Sequence, residues 1–213
     1  MKRAAALLAI AMFATAPAHA VTVLVAAFGE VTENLIADSP LGDVTAGEGV
    51  VMSFTVDSSN FVNGVSGDSR GYVISSFSLA FSGGVNVGLL MGGDTAYFTL
   101  ADGMPVSDGF WVSTSPDSPG GAPLEQEPYN VNLDLGYEGD TLSSLGILDA
   151  AGVYDLNGLT RFGFTVWQGS PDFPGMQIDY HQLMIQPLPP VPVPAALWLL
   201  GSSLLGLISM RRR

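Results

Sequence analysis

Five oxygen-bearing side chains recur at short spacing in one stretch of the chain. They are Asn130, Asn132, Asp134, Glu138 and Asp140. The first three alternate with the period of a strand, so they share one face, and the other two follow in the next turn. Such a set could bind Ca²⁺, which takes about six to eight oxygen ligands. The spacing is not that of an EF-hand, since Leu135 replaces the turn glycine and Thr141 the bidentate glutamate. The alternative is a solvated strand face that ends in an acidic turn.

Two further groups of residues could take part in acid–base chemistry. His181 is the one histidine after residue 20, and Asp179 lies on the same side of its strand. A Ser-His-Asp triad would need a serine and a carboxylate from elsewhere in the fold, so we interpret the two residues as an outward-facing polar pair. Glu125 and Glu127, close to Tyr129, could form the carboxylate pair of a glycosidase. Neither pattern is specific, and we expect that the protein is not an enzyme.

Aromatic side chains suggest a different kind of site. Trp111, Tyr129 and Trp167 could stack on sugar rings, as aromatic residues do in carbohydrate-binding modules. The alternative for each ring is packing in the core or at an interface, because aromatic residues supply much of the buried area of a β-sandwich.

The composition excludes several classes of function. The segment between Val21 and Val191 holds all 20 acidic residues and two cations, Arg70 and Arg161, so its formal charge is −18. A field of this sign repels nucleic acids and anionic lipid, and we expect no nucleic-acid partner. The chain has no cysteine, and its one lysine is Lys2. Thiol chemistry, cysteine-based metal sites and a Schiff-base lysine in the body are therefore excluded, and we expect no cofactor.

The elements that would position these residues are predicted to be strands. Apolar residues alternate with period 2 between glycine- and proline-rich turns, which is typical of antiparallel sheets. Asp57 to Asn60 reads as a turn, and residues 115–128 as a long surface loop. A short helix is predicted over Asp140 to Ala151, with Asp140 as its N-cap and Gly152 as its stop. Strands are predicted over residues 21–28, 49–56, 72–81, 85–91, 95–100, 110–113, 131–137, 161–168 and 176–186. We therefore predict an all-β fold, an antiparallel, jelly-roll-like β-sandwich with one short helix.

The N-terminus has the pattern of a secretory signal peptide. Lys2 and Arg3 precede an apolar run over residues 4–16, and Ala18 and Ala20 frame a small-x-small cleavage site. We expect cleavage after Ala20. A retained N-terminal anchor is the alternative.

The C-terminus combines a proline motif, a short apolar stretch and three arginines. The 16 residues from Ala195 to Met210 carry no charge. As a helix they would span about 24 Å, less than the roughly 30 Å of a hydrocarbon core, so this predicted transmembrane helix is a marginal anchor. Arg211, Arg212 and Arg213 would fix its end on the cytoplasmic side, with the body outside. An ordinary stop-transfer helix is the alternative.

This tail resembles the sorting signal of the PEP-CTERM proteins of Gram-negative bacteria. Val191, Pro192, Val193, Pro194 and Ala195 stand where that family has Pro-Glu-Pro or the related Val-Pro-x-Pro-Ala signature. In the family an exosortase, a membrane-embedded cysteine transpeptidase-like enzyme, reads the signature and cleaves near it. Val193 stands where the commonest form has glutamate, which leaves the exosortase subtype open. The resemblance covers about 23 residues and implies a route of export, so the chain would be the substrate of an enzyme.

These observations lead to one expected organisation. We predict a signal peptide at 1–20, a β-sandwich domain at 21–187 and a sorting tail at 188–213. The protein would be exported through the inner membrane and anchored there with its body on the periplasmic side. An exosortase would then process it for the cell surface or the extracellular matrix, where the body would have a structural or adhesive role, with exopolysaccharide as a potential partner. The alternative is a secreted carbohydrate-binding or carbohydrate-active module.

Overall fold

The fold is described from a computed structural model, which describes residues 20–90, 92–104, 107–161, 164–170 and 172–189. This part of the chain is almost entirely β-structure, with one short 3₁₀-helix at Leu41–Asp43. In chain order the strands are β1 (Thr22–Asn34), β2 (Gly49–Asn63), β3 (Ser69–Phe81), β4 (Asn86–Val87), β5 (Tyr97–Met104), β6 (Ser107–Ser113), β7 (Ala122–Pro123), β8 (Tyr129–Val131), β9 (Leu133–Glu138), β10 (Gly152–Asp155), β11 (Thr160–Arg161), β12 (Val166–Gln168) and β13 (Gly175–Pro187).

The strands form where apolar residues alternate with polar ones. On β2, Val50, Met52, Phe54 and Val56 are buried, while the residues between them are partly exposed. A strand presents alternate side chains to opposite faces, so this pattern lets one face of β2 line the core and leaves the other for solvent. The period-2 reading of the sequence is confirmed here.

All pairs between the strands are antiparallel, and the strands belong to one continuous sheet. Its order is β11-β9-β6-β5-β3-β2-β1-β13-β12-β8-β7, with β10 beside β13 and β4 beside β3. The first strand therefore pairs with the last one, β1 with β13. Phe110 and Leu135 near one end of this order share a hydrophobic cluster with Val131 and Val166 near the other end. The sheet must curl over one core, which gives the sandwich-like packing that the sequence predicts.

The predicted helix at Asp140 to Ala151 is wrong, because residues 140–151 form turns and irregular backbone. Two buried side chains bind backbone N–H groups of this segment, and one of these groups, that of Ile147, would be used inside a helix. The Asp108 carboxylate accepts hydrogen bonds from the N–H groups of Thr141 and Leu142, and the Tyr72 hydroxyl accepts one from Ile147. Tertiary hydrogen bonds thus override the weak helical pattern of this segment.

Several predicted boundaries also differ from the structure. Asp57 to Asn60 is not a turn but lies inside β2, which runs on to Asn63. The strand predicted over residues 85–91 is reduced to the two residues of β4, and the one predicted over 161–168 is divided between β11 and β12. Strand β10 has no counterpart in the prediction, since its side chains are mostly exposed and lack alternation. Strands of two to four residues are too short to show a clear alternation of side chains.

Candidate functional site

A candidate site lies where the chain changes its strand partners. Strand β8 pairs with β12, whereas β9, which follows after the single residue Asn132, pairs with β6 and β11. Asn132 is therefore a corner residue, and its backbone N–H donates to the carbonyl oxygen of Thr165 at 2.7 Å. Beyond this corner, β9 and β13 are not paired with each other in the sheet. A gap opens between them.

This gap is a cavity of about 380 Å³, which we call the corner cavity. One wall is the start of β9, with Asn132 and Asp134. The opposite wall is the start of β13, with Gln177 and Asp179. The remaining lining residues are Thr32, Leu133, Leu135, Phe164, Thr165, Ile178 and Tyr180.

A β-bulge shapes the rim of the corner cavity. In the pairing of β1 with β13, Val31 lies opposite Ile178 and Glu33 opposite Gln177, so Thr32 is an extra residue. Its hydroxyl donates to the carbonyl oxygen of Gln177 at 3.4 Å. Bulges bend a strand and redirect its side chains, and they are common next to binding sites.

The corner cavity is rich in hydrogen-bond acceptors, and none of its described lining residues is a cation. Asn132 is 3% exposed, and its Oδ1 has no hydrogen-bond partner among the described residues. Asp134 is half-buried, and desolvation raises the pKa of its carboxyl, because burial disfavours the charged form. The walls thus combine a buried amide oxygen without a partner among the described residues with a partly desolvated carboxyl.

A second polar group is the acidic cluster of Asp102, Asp108 and Asp140, in which one oxygen of each carboxylate lies within 4.8 Å of the others. Burial, followed by the charges of Asp108, Asp140 and Asp68, raises the pKa of Asp102. Three carboxylates at this separation have the right chemistry for a divalent cation.

The hydrogen bonds of Asp108 give this cluster a structural role. Its Oδ1 accepts from the N–H of Gly103 at 3.1 Å, and its Oδ2 accepts from Thr141 at 2.5 Å and Leu142 at 2.6 Å. The 3% exposed carboxylate therefore holds two loop segments together. Ion binding would compete with these bonds.

The oxygen donors predicted for calcium are divided between these places. Asn132 and Asp134 lie together in the corner cavity, and Asp140 joins the acidic cluster. Asn130, half-buried on β8, and Glu138, exposed at the end of β9, belong to neither group. Asn132 and Asp134, which alternate along one segment, both line this cavity. The other wall of the cavity, some 45 residues further along the chain, had no local signal.

The three aromatic residues considered for sugar stacking are buried. Trp111, Tyr129 and Trp167 are 5%, 3% and 4% exposed. The loop after β6 covers Trp111, whose Nε1 donates to the carbonyl oxygen of Ser115 at 3.4 Å. Trp167 packs so closely on Gly121 that a Cβ there would lie 2.7 Å from the ring. None of the three presents an open ring face, so packing is their role. The segment 115–128, predicted as a surface loop, contains β7 and buries Ala122 and Leu124.

Of the other candidate catalytic residues, Asp179 lines the corner cavity and the remaining three lie outside it. His181 and Asp179 are both exposed, and His181 is the extra residue of a bulge in β13. Glu125 and Glu127 are exposed as well.

The chain has a Gly-x-Ser-x-Gly spacing at Gly67 to Gly71. Its Ser69 is 1% exposed and opens a strand that follows a hairpin turn. In α/β-hydrolases the nucleophilic serine of this motif sits exposed between a strand and a helix. The motif here therefore has the wrong structural context.

The chain matches no known family model, no curated protein and no solved structure. Between residues 20 and 189, as far as they are described, no helix has the length and hydropathy of a membrane span. The predicted transmembrane helix, Val191 to Ala195, Arg211 to Arg213 and Ala18 lie outside the described residues, whereas Ala20 is described and exposed.

Proposed function

We propose that this is an exported protein of the cell surface or extracellular matrix of a Gram-negative bacterium. An exosortase recognises its C-terminal tail and cleaves near Val191 to Ala195. The acidic body has a structural or adhesive role. The jelly-roll connectivity of its strands stays a prediction.

One observation carries the proposal, which is the position of the two ends of the body. Val23 on the first strand lies opposite Pro187 on the last, and the N–H of Leu188 donates to the carbonyl oxygen of Thr22 at 2.8 Å. The first described strand thus begins just after the proposed cleavage site at Ala20, and the last one ends just before the proposed tail. Removal of both terminal segments would leave every described strand intact.

The distribution of charge supports the proposed topology. The body has a formal charge of −18, whereas Arg211, Arg212 and Arg213 follow the uncharged stretch at the other side of the tail. Arginines at the end of an apolar segment are retained in the cytoplasm, which would leave the body on the periplasmic side.

The proposal is tested by the intact mass of the protein purified from a host that has an exosortase. The expected mass corresponds to a chain that begins at Val21 and ends near the proline motif. Pro192→Ala with Pro194→Ala should leave the tail attached. Pro189→Ala with Pro190→Ala, which removes two neighbouring prolines outside the motif, should be processed normally. A wild-type protein that still ends at Arg213 refutes the sorting proposal.

A further inference from the structure

We propose that the corner cavity binds a polyhydroxylated ligand, a sugar ring, between Asp134 on β9 and Gln177 on β13. The residues that carry this inference all belong to the folded body. It therefore does not rest on the sorting tail.

The size of the cavity favours a small organic molecule over a lone ion. Its volume of about 380 Å³ falls within the roughly 300 to 1,000 Å³ that is typical of small-molecule sites. A water molecule occupies only about 30 Å³, so an ion with a few ligands would leave most of the space unfilled.

The polar walls specify a ligand that donates hydrogen bonds. The carboxyl of Asp134 lines the cavity and is half-buried, and a carboxylate only accepts hydrogen bonds. A ligand hydroxyl that donates to this partly desolvated group forms a charge-assisted hydrogen bond. The acidic lining in turn repels phosphates and other anions.

The cavity walls contain both hydrogen-bond donors and acceptors, which favours a sugar over a cation as the ligand. Besides carboxylates, the walls contain the amides of Asn132 and Gln177, and each amide has donors as well as an acceptor. A hydroxyl can donate to a carboxylate and accept from an amide N–H, whereas a metal ion uses oxygens alone. The half-buried ring of Phe164 adds an apolar surface against which the C–H face of a sugar can pack.

The experiment is calorimetric titration of the full chain, solubilised in detergent. Glucose, galactose, mannose and N-acetylglucosamine are added one at a time, followed by CaCl₂ alone and spermidine alone. We expect saturable binding of at least one sugar. Asp134→Asn and Gln177→Ala should each weaken it by about tenfold, the effect of losing one hydrogen bond to a charged or well-placed group. Glu138→Gln, the matched change on the same strand outside the cavity, should stay within about twofold of the wild type.

Three results would overturn the inference. The first is that none of the four sugars binds. The second is that Asp134→Asn and Glu138→Gln bind equally well. The third is that Ca²⁺ or spermidine alone gives a signal that Asp134→Asn abolishes while no sugar does, which would make the ligand a cation. Thermal melting of each variant shows that it is folded, and Asp134→Asn should be as stable as the wild type because it removes a desolvated charge. Since the tail plays no part, failure here leaves the mass measurement of processing unaffected.

Discussion

The hydroxyl of Tyr72 accepts a hydrogen bond from the backbone N–H of Ile147 at 3.0 Å, across 75 residues of sequence. The same hydroxyl donates to the carbonyl oxygen of Leu145 at 2.7 Å. Tyr72 is 1% exposed and points from β3 into the core. One phenol group thus satisfies both a donor and an acceptor of a segment that has no regular secondary structure, and it fixes that segment on the sheet.

Replacing Tyr72 with phenylalanine keeps the ring and removes both hydrogen bonds. Two backbone groups then lose their partner, and we expect the free energy of unfolding to fall by about 1–3 kcal/mol. Urea denaturation of the two proteins measures this loss. Tyr97→Phe is the matched control, because no described residue is hydrogen-bonded to the Tyr97 hydroxyl, and it should change stability by less than about 0.5 kcal/mol. Equal effects of both substitutions would contradict the role of the Tyr72 hydroxyl.

The contact of Tyr72 with Ile147 shows why the sequence predicts the strands better than it predicts residues 140–151. Val50, Met52 and Phe54 alternate with polar residues because one face of their strand is buried. This burial gives the sequence a period of two residues, which can be recognised without the structure. The apolar residues of Asp140 to Ala151 resemble a helix, but their conformation depends on hydrogen bonds to Tyr72 and Asp108, which are far away in sequence. Periodicity contains no information about such partners.

The sequence pattern brings together the residues of one wall of the corner cavity but not those of the other wall, which depends on partners far away in sequence. Asn132 and Asp134 alternate along one segment, and both line the cavity. Their opposite wall, Gln177 and Asp179, depends on the curl of the sheet and on the corner at Asn132. Both features arise from long-range strand pairing, which local patterns do not encode.

Asp108 is a second buried side chain that binds the backbone of an irregular segment, and substituting it tests this role. Asp108→Asn replaces one acceptor oxygen with an NH₂ group. In the variant this donor must face backbone N–H groups that the wild-type carboxylate binds. We expect a loss of about 3 kcal/mol in the free energy of unfolding, as for a buried hydrogen-bonded charge. Asp172→Asn, at an exposed position, should be nearly neutral. Amide hydrogen exchange should show loss of protection at Leu142 in Asp108→Asn, and unchanged protection there would refute this interpretation.

Gly29 permits the close approach of β1 and β13 at a bulge. Phe28 lies opposite Gln182 but Gly29 opposite Tyr180, so His181 is unpaired in this register. A Cβ on Gly29 would lie 2.5 Å from the carbonyl oxygen of Asp179 and 2.9 Å from the Cα of Tyr180. Both of these atoms belong to the backbone and cannot move alone. We therefore expect Gly29→Ala to destabilise the protein by about 1–3 kcal/mol in thermal or urea denaturation.

Gly49 on the neighbouring strand is the control for that substitution. A Cβ there would have no heavy atom within 4 Å. Gly49→Ala should be neutral or stabilise the protein by up to about 1 kcal/mol, because alanine lowers the entropy of the unfolded chain. A loss of stability as large as that of Gly29→Ala would show that the close contact at the bulge is not the cause.

The acidic cluster predicts a pH-dependent effect at Asp102. Its folded-state pKa is raised, first by burial and then by neighbouring carboxylates, so the folded protein binds this proton more tightly than the unfolded chain does. The charged form therefore destabilises the fold at neutral pH, and this penalty disappears as the pH falls below the ordinary aspartate range. We expect Asp102→Asn to raise the melting temperature at neutral pH and to have no advantage in acid.

Melting curves of Asp102→Asn and wild type between neutral and acidic pH, recorded with EDTA present, measure this difference. Asp172→Asn, which removes a charge outside the cluster, is the control for a general effect of lowering the acidity of the body. The same curves with CaCl₂ distinguish repulsion from ion binding. If the carboxylates only repel one another, the advantage of Asp102→Asn persists in Ca²⁺. If the cluster binds the ion, Ca²⁺ stabilises the wild type but not the variant, and the advantage is reversed. A gain that is equal at all pH values would contradict the raised pKa as its cause.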